Sequence, residues 1–276
     1  MTLDELPARP QSAAGPRQEA RAPSWTEQCR RSNNKDGTVL QSRDTTAAAS
    51  GDPGLTTGSE RKQARILIVA FGDSLTVGYR SPTEDEEFPE PFPYTAFLGK
   101  RVDATLHKKA PGFRVEFLNR GIVGELTDDM ADRFVRDVVG PRSDAVIILG
   151  GSNDLGWGMD PSSVAENLAG MYDEALNSGI QPVACTVPSV RGYDEGIPPR
   201  LRLNRLIRNC SESRGIICVD LFTATADAAG RLREEYSNDG LHLSFLGYEA
   251  MAEAIFSEAV HGMIKGYMED TKLLSE

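Results

Sequence analysis

Four short blocks of glycine and polar residues carry the groups in this chain that could do chemistry. In chain order they are Gly72 to Gly78, Asn119 to Gly124, Gly150 to Asp154 and Asp239 to His242. A serine hydroxyl is a weak nucleophile until a neighbouring base takes its proton, and a third group must hold that base in one tautomer. The oxyanion formed in acyl transfer needs donors already in place, such as N–H groups at glycine turns or an asparagine amide. The four blocks contain all of these parts.

Other site chemistries do not fit the spacing of the blocks. The first block is not G-x-G-x-x-G and has no Lys followed by Ser or Thr, so neither a dinucleotide nor a P-loop phosphate cradle is expected. Thr76 stands where a G-x-S-x-G nucleophile elbow has its second glycine. The chain has no H-E-x-x-H motif, and a catalytic zinc ion would lack ligands among the three histidines, His107, His242 and His261. We therefore expect no metal and no cofactor.

Five short apolar runs are typical of buried parallel strands, and the first three blocks follow three of them. These runs are Ile66–Phe71, Val115–Leu118, Ala145–Leu149, Pro182–Val187 and Ile216–Leu221. Helical periods fill the intervals between them, and a last helix is expected from Phe245 to about Met268. The alternation predicts an α/β protein with three layers, α/β/α, around a five-stranded parallel sheet. Functional residues of such a sheet lie just past the carboxyl ends of its strands, where the first three blocks lie, and the fourth block stands near the end of the chain.

Charge and composition exclude some partners. The 276 residues carry a net charge of −11, so the basic field that nucleic acid or an anionic lipid surface would need is missing. No apolar run approaches the roughly 20 residues that span a bilayer. The first residues have no basic start or apolar stretch of a secretory signal, and this favours a cytoplasmic location.

The first 62 residues differ in composition from the rest. Residues 1–62 are rich in small and polar residues and could not bury enough apolar surface to offset the entropy of ordering, so we predict a disordered tail before a domain over residues 63–276. The cysteines form no C-x-x-C pair and are interpreted as small hydrophobic residues, not as a disulfide framework. They are Cys29, Cys185, Cys210 and Cys218.

In this order the four blocks resemble those of the GDSL, or SGNH, hydrolase family of esterases, lipases and deacetylases, whose fold is flavodoxin-like. The resemblance implies that Ser74 in Gly-Asp-Ser-Leu is the nucleophile. It implies that Asp239 and His242 in Asp-x-x-His complete the triad. It also implies an oxyanion hole made of the Ser74 N–H, the Gly124 N–H and the side-chain amide of Asn153 in Gly-x-Asn-Asp.

Each of these roles has a plainer structural alternative. Ser74 could be only a helix N-cap. Gly124 could be only a turn glycine, with Gly121 as the oxyanion donor instead. The pair Asp239-Gly240 is most often just a turn.

Neighbouring residues have expected roles outside the chemistry. Asp73 is expected to hydrogen-bond the turn, and Asp154 to anchor its loop. His107 and His261 are expected to be solvated. Trp157 follows the Asn153 block and could contact substrate in the acyl pocket or be a core or rim aromatic residue.

The resemblance implies an enzyme that cleaves a carboxylic ester through an acyl-enzyme on Ser74. The expected partner is a small-molecule or lipid ester, including small or medium acyl esters and O-acetyl compounds. An acyltransferase on the same fold is one alternative, and it would differ in shielding the acyl-enzyme from water. A non-catalytic binding module is another, although such a module would normally have lost a triad member and none is missing here.

Overall fold

The computed structural model of this chain describes residues 65–106 and 113–273, with side chains described as far as residue 268. The predicted tail, His107 and Cys29 lie outside the described residues. None of the helices within these ranges has the length and apolar character needed to cross a lipid bilayer.

The strands of the described residues form one parallel sheet. They are β1 (Arg65–Gly72), β2 (Arg114–Gly121), β3 (Ala145–Leu149), β4 (Gln181–Cys185) and β5 (Ile217–Val219). Their order across the sheet is β2-β1-β3-β4-β5, and every neighbouring pair is parallel. This is the flavodoxin-like doubly wound order. The predicted fold class is confirmed.

The two central strands are buried along almost their whole length. β3 is buried at every position and β1 at every position after its first, whereas the edge strand β2 is only partly buried. Continuous apolar sequence is what a parallel strand covered on both faces requires. The apolar runs therefore located these strands correctly.

The last two strands are shorter than their apolar runs. β4 ends at Cys185 because the N–H and the carbonyl of Val187 are both bonded to the side-chain amide of Asn204, at 2.8 and 2.9 Å. β5 does not reach Leu221 because Asp220 caps a helix that begins there. Side-chain bonds of this kind compete with the strand ladder.

Helices fill the intervals between the strands. Their bounds are α1 Ser74–Val77, α2 Tyr94–Leu106, α3 Thr127–Phe134, α4 Ser152–Gly156, α5 Pro161–Asn177, α6 Ile197–Arg214, α7 Leu221–Thr225, α8 Phe245–Ile255 and α9 His261–Leu273. Short π-helical segments follow α3 and join α8 to α9, so the predicted closing helix begins at Phe245 and ends at Leu273. α2 packs on α8, and α5 packs on α3 and α6. These two groups form the helical layers.

The strand register gathers the sequence blocks at one edge of the sheet. Gly72 at the end of β1 pairs with Gly121 of β2 on one side and with Leu149 of β3 on the other. The chain therefore leaves the sheet at three adjacent points, and each exit leads directly into one of the first three blocks.

Candidate active site

Ser74 is the first residue of α1, immediately after β1. Asp73 caps this helix, since its carboxylate accepts the N–H of Leu75 at 3.0 Å. The cap is thus Asp73, as expected for a residue that bonds the turn, and not Ser74. The Ser74 side chain is buried, and the hydrogen bonds among the described residues use neither its hydroxyl nor its N–H. Both groups are available to a substrate.

Asp239 and His242 are in direct contact. Asp239 Oδ2 lies 2.7 Å from His242 Nδ1. The other carboxylate oxygen accepts the N–H groups of Leu241 and His242 at 2.9 and 2.8 Å. Burial alone would raise the pKa of Asp239, but the bond and charge of His242 and the two N–H groups lower it below its usual range. Asp239 therefore shapes a turn and holds the imidazole with the same ionised carboxylate.

Tyrosine contacts bring His242 to the turn that carries Ser74. The ring of Tyr79 packs on the imidazole with 4.5 Å between the ring centroids. The backbone N–H of Tyr79 donates to the carbonyl of Ser74 at 3.0 Å. The hydroxyl of Tyr248 on α8 donates to the carbonyl of Tyr79 at 2.7 Å. Ser74 and His242 share no direct hydrogen bond among the described residues. Such bonds are often long in a free enzyme and tighten in the complex with substrate.

Of the two candidate glycines after β2, Gly124 has the N–H group that is free to act as the predicted donor. The N–H of Gly121 donates to the side chain of Asn119 at 2.9 Å, and a Cβ on Gly121 would lie 2.4 Å from the backbone nitrogen of Val77. Gly121 therefore serves the close packing of β2 against α1. Gly124 has a φ of 77°, which favours glycine, and its N–H has no acceptor among the described residues.

The third block is tied by two contacts to the segment that directly follows the second block. The side-chain amide of Asn153 donates to the carbonyl of Glu125 at 2.8 Å, which leaves its second N–H for another acceptor. The carboxylate of Asp154 accepts the N–H and the hydroxyl of Thr127 at 3.1 and 2.6 Å. Asp154 is thus the anchor that the sequence predicted, and Asn153 is oriented beside Gly124.

The remaining predicted residues lie outside this cluster. Trp157 is 45% exposed directly after α4, so it is not part of the core. His261 is exposed on α9, as predicted. Cys185 is buried, and Cys210 and Cys218 are partly buried with free thiols, in agreement with their interpretation as small hydrophobic residues. Within the described ranges no group of three or more His, Cys, Asp or Glu side chains could hold a metal ion.

Two features of this edge were missed from the sequence. One is a buried ion pair between Glu125 and Arg133 directly behind the Gly124 turn. The other is the packing of Tyr79 on His242. Neither feature leaves a local sequence pattern. The ion pair joins a residue of the loop to a residue of α3, and Tyr79 and His242 come from distant segments of the chain.

The family model for GDSL-like lipases and acylhydrolases matches residues 70–250, which include all four blocks. The chain belongs to this family. A curated relative, described as the uncharacterised lipoprotein YqeF of Bacillus subtilis strain 168, is 30% identical over 132 residues, 45% of this chain and 50% of the relative. The chain thus spans about half the length of that relative. Because the relative is named a lipoprotein, the cytoplasmic location stays a prediction.

Two solved structures share the fold. A lipase/acylhydrolase from Enterococcus faecalis is 24% identical, with a TM-score of 0.57 over 70% of this chain and 94% of that one. The acetylxylan esterase Axe2 from Geobacillus stearothermophilus is 21% identical, with a TM-score of 0.56 over 71% of this chain and 95% of that one. At this level of identity the likeness establishes the architecture.

The burial of Asp73 predicts a pH-dependent loss of stability. Burial raises the pKa of Asp73 to about 7, against the lowering effects of the Leu75 N–H and of His242, whereas an unfolded aspartate titrates near 4. The folded chain then binds a proton that the unfolded chain has lost, so the contribution of Asp73 falls as pH rises from about 4 to about 7.

We therefore expect Asp73→Asn, which keeps a capping oxygen, to become more stable relative to wild type across this window. The free energies of unfolding of both proteins are measured in urea from pH 4 to 8. The difference between them should change in favour of the variant by at most about 4 kcal/mol up to about pH 7 and then stay constant. A difference that stays constant from pH 4 to 8 would show that Asp73 does not titrate there.

Proposed function

We propose that this chain hydrolyses carboxylic esters through an acyl-enzyme on Ser74. The observation that carries the proposal is the 2.7 Å contact of Asp239 with Nδ1 of His242, in a loop that packs on the Ser74 turn. Because Nδ1 faces the carboxylate, Nε2 is the ring nitrogen that can accept a proton. Membership of a lipase and acylhydrolase family supports the same reaction.

The reaction would proceed in two halves. Ser74 Oγ attacks the ester carbonyl while His242 Nε2 takes the hydroxyl proton, and Asp239 stabilises the imidazolium. The C–O bond to the alcohol then breaks, and the alcohol leaves with the proton from His242. In the second half, water attacks the acyl-enzyme and gives a proton to His242. The acid is released, and Ser74 regains its proton.

Three donors would stabilise the oxyanion in both halves. They are the N–H groups of Ser74 and Gly124 and the second amide N–H of Asn153. Each donor lies just past the carboxyl end of a strand, at a position that the sheet fixes. The donors therefore need little rearrangement when charge develops on the substrate oxygen. Preorganised donors of this kind supply much of the rate enhancement in acyl transfer.

We propose a small or medium acyl group, with O-acetyl compounds included. An exposed apolar side chain lies near each of two proposed oxyanion donors in the sequence: Ile122 lies two residues before Gly124, and Trp157 lies four residues after Asn153. They could contact a short acyl chain at the rim of the site. The name of the similar Geobacillus stearothermophilus protein describes an acetyl esterase and so supports this substrate class.

Replacing Asp239 by Asn separates its role in catalysis from its role in the turn. Asn can make similar turn bonds, but it loses the charge that stabilises the imidazolium and can favour the wrong tautomer. We expect a folded protein with KM nearly unchanged and kcat reduced at least about tenfold, up to about 10⁴-fold. His242→Ala, which removes the base, should be more damaging.

Asp227 provides the matched control for Asp239. Its carboxylate also accepts two turn N–H groups, from Ala229 and Arg231 at 2.9 and 3.0 Å, and its charged partner is Arg191 at 2.8 Å instead of a histidine. Asp227→Asn should keep wild-type kcat. If Asp239→Asn also keeps wild-type kcat while its melting curve is normal, Asp239 is a turn residue and the triad is reduced to a Ser74–His242 dyad.

Asn153→Ala tests the side-chain oxyanion donor. Loss of one such donor typically lowers kcat by about 10²–10³ with little change in KM. Asn167→Ala is the control, because its amide donates to Thr127 at 3.1 Å in the same cluster without a proposed contact to substrate. Kinetics with 4-nitrophenyl acetate and longer acyl esters decide the matter, and equal kcat values for the two variants would remove Asn153 from the mechanism.

A further inference from the structure

A buried ion pair lies directly behind the turn that carries Gly124. The side chains of Glu125 and Arg133 are 6% and 7% exposed. Arg133 Nε donates to Glu125 Oε1 at 2.5 Å, and Arg133 Nη2 donates to Oε2. Taking both charges out of water is costly, and an apolar pair of similar volume is often as stable or more so. Stability alone is therefore a weak explanation for this pair.

The same guanidinium is bonded to the ends of two strands. Arg133 Nη2 donates to the carbonyl of Arg120 near the end of β2 at 2.9 Å, and to that of Gly72 at the end of β1 at 3.4 Å. Nη1 donates to Asp137 at 2.9 Å, and the group lies 4.1 Å from the centroid of the Phe71 ring. The planar fork of arginine thus links both strand ends to the Gly124 turn in one fixed geometry.

Glu125 connects this pair to two of the three proposed oxyanion donors. Its backbone follows Gly124 directly, so its orientation affects that of the preceding peptide groups. Its carbonyl accepts the side-chain amide of Asn153 at 2.8 Å. A rotation of Glu125 would therefore misdirect the N–H of Gly124 and the amide of Asn153 together.

We propose that Arg133 is a positioning residue for the oxyanion hole, acting through Glu125 on Gly124 and Asn153. The inference rests on the proposed function. It adds that stabilisation of the transition state depends on a buried pair that does not touch substrate, and that the pair aligns two donors from different strand exits on one oxygen atom.

The test replaces the pair by apolar residues, with Glu125→Leu and Arg133→Met combined in one protein. Removing only one partner would leave a buried charge without compensation, whereas the double replacement is expected to fold. We expect KM within about twofold of wild type and kcat reduced at least about tenfold, because the donors become mobile. The affinity for a trifluoromethyl ketone, whose hemiketal oxyanion would use the same donors, should fall by a similar factor.

Two further variants separate positioning from folding. Ile264→Ala removes a buried side chain of α9 and should lower the melting temperature with kcat unchanged at a temperature where the protein is folded. Arg133→Lys keeps the positive charge but lacks the planar guanidinium group with its paired N–H donors. It should give a kcat between those of wild type and the double variant. If the double variant does not fold, Arg133→Lys decides: wild-type kcat and ketone affinity in this variant would overturn the proposal.

A double-mutant cycle identifies the route of the effect. If Arg133 acts through the Asn153 amide, the loss caused by the apolar pair should be smaller in the Asn153→Ala background than in wild type. Full additivity would contradict the proposed route through Asn153, and wild-type kcat and ketone affinity in the folded double variant would show that the pair is only structural. A wild-type protein without any esterase activity would instead contradict the proposed function.

Discussion

The parallel register of β1 with its two neighbours determines where Ser74, Gly124 and Asn153 lie. Gly72 is paired with Gly121 and with Leu149 at the same level of the sheet, so three loops leave it side by side. Ser74, Gly124 and Asn153 each follow one of these exits within five residues. The sheet thereby brings together groups that are about 50 and 30 positions apart in the chain, and no local interaction could do so.

A network of buried polar contacts then fixes the loops relative to one another. Thr127 is bonded to Asp154, Asn153 to Glu125, and Glu125 to Arg133. Burial makes each bond stronger and makes an unmade bond costly, so a fully satisfied network favours one arrangement. His242 is oriented separately, by Asp239 and by the ring of Tyr79 from the first loop. His242 is therefore held by other contacts than those that fix Asn153 and the Gly124 turn.

Much of the fold and the outline of the site could be predicted because their signals are local. Continuous apolar runs located the strands, and the first three blocks lie where strands end. The family resemblance of the Asp-x-x-His block implied the Asp239–His242 contact, and three residues of a turn suffice to bring the groups together. The extent of β4 could not be predicted, because it ends where the side chain of Asn204, far along the chain, takes over the bonds of Val187. Arg133 could not be recognised either, since an exposed arginine on a helix has the same local sequence.

The choice between Gly121 and Gly124 also needed the structure. Both are glycines after β2, and spacing does not distinguish them. The N–H of Gly121 is bonded to Asn119, and Gly121 packs closely on α1, so Gly121 has a structural role. The functional roles of Ser74, Asp239, His242, Gly124 and Asn153 stay predictions.

The most direct test of the account is labelling with a fluorophosphonate followed by mass mapping of the modified peptide. In this reaction a serine Oγ–P bond forms and fluoride leaves, so only an activated serine reacts readily. We predict one modified residue, Ser74, loss of esterase activity in proportion to labelling, and no labelling of Ser74→Ala. Modification of a different residue, or full esterase activity after complete modification of Ser74, would contradict the account.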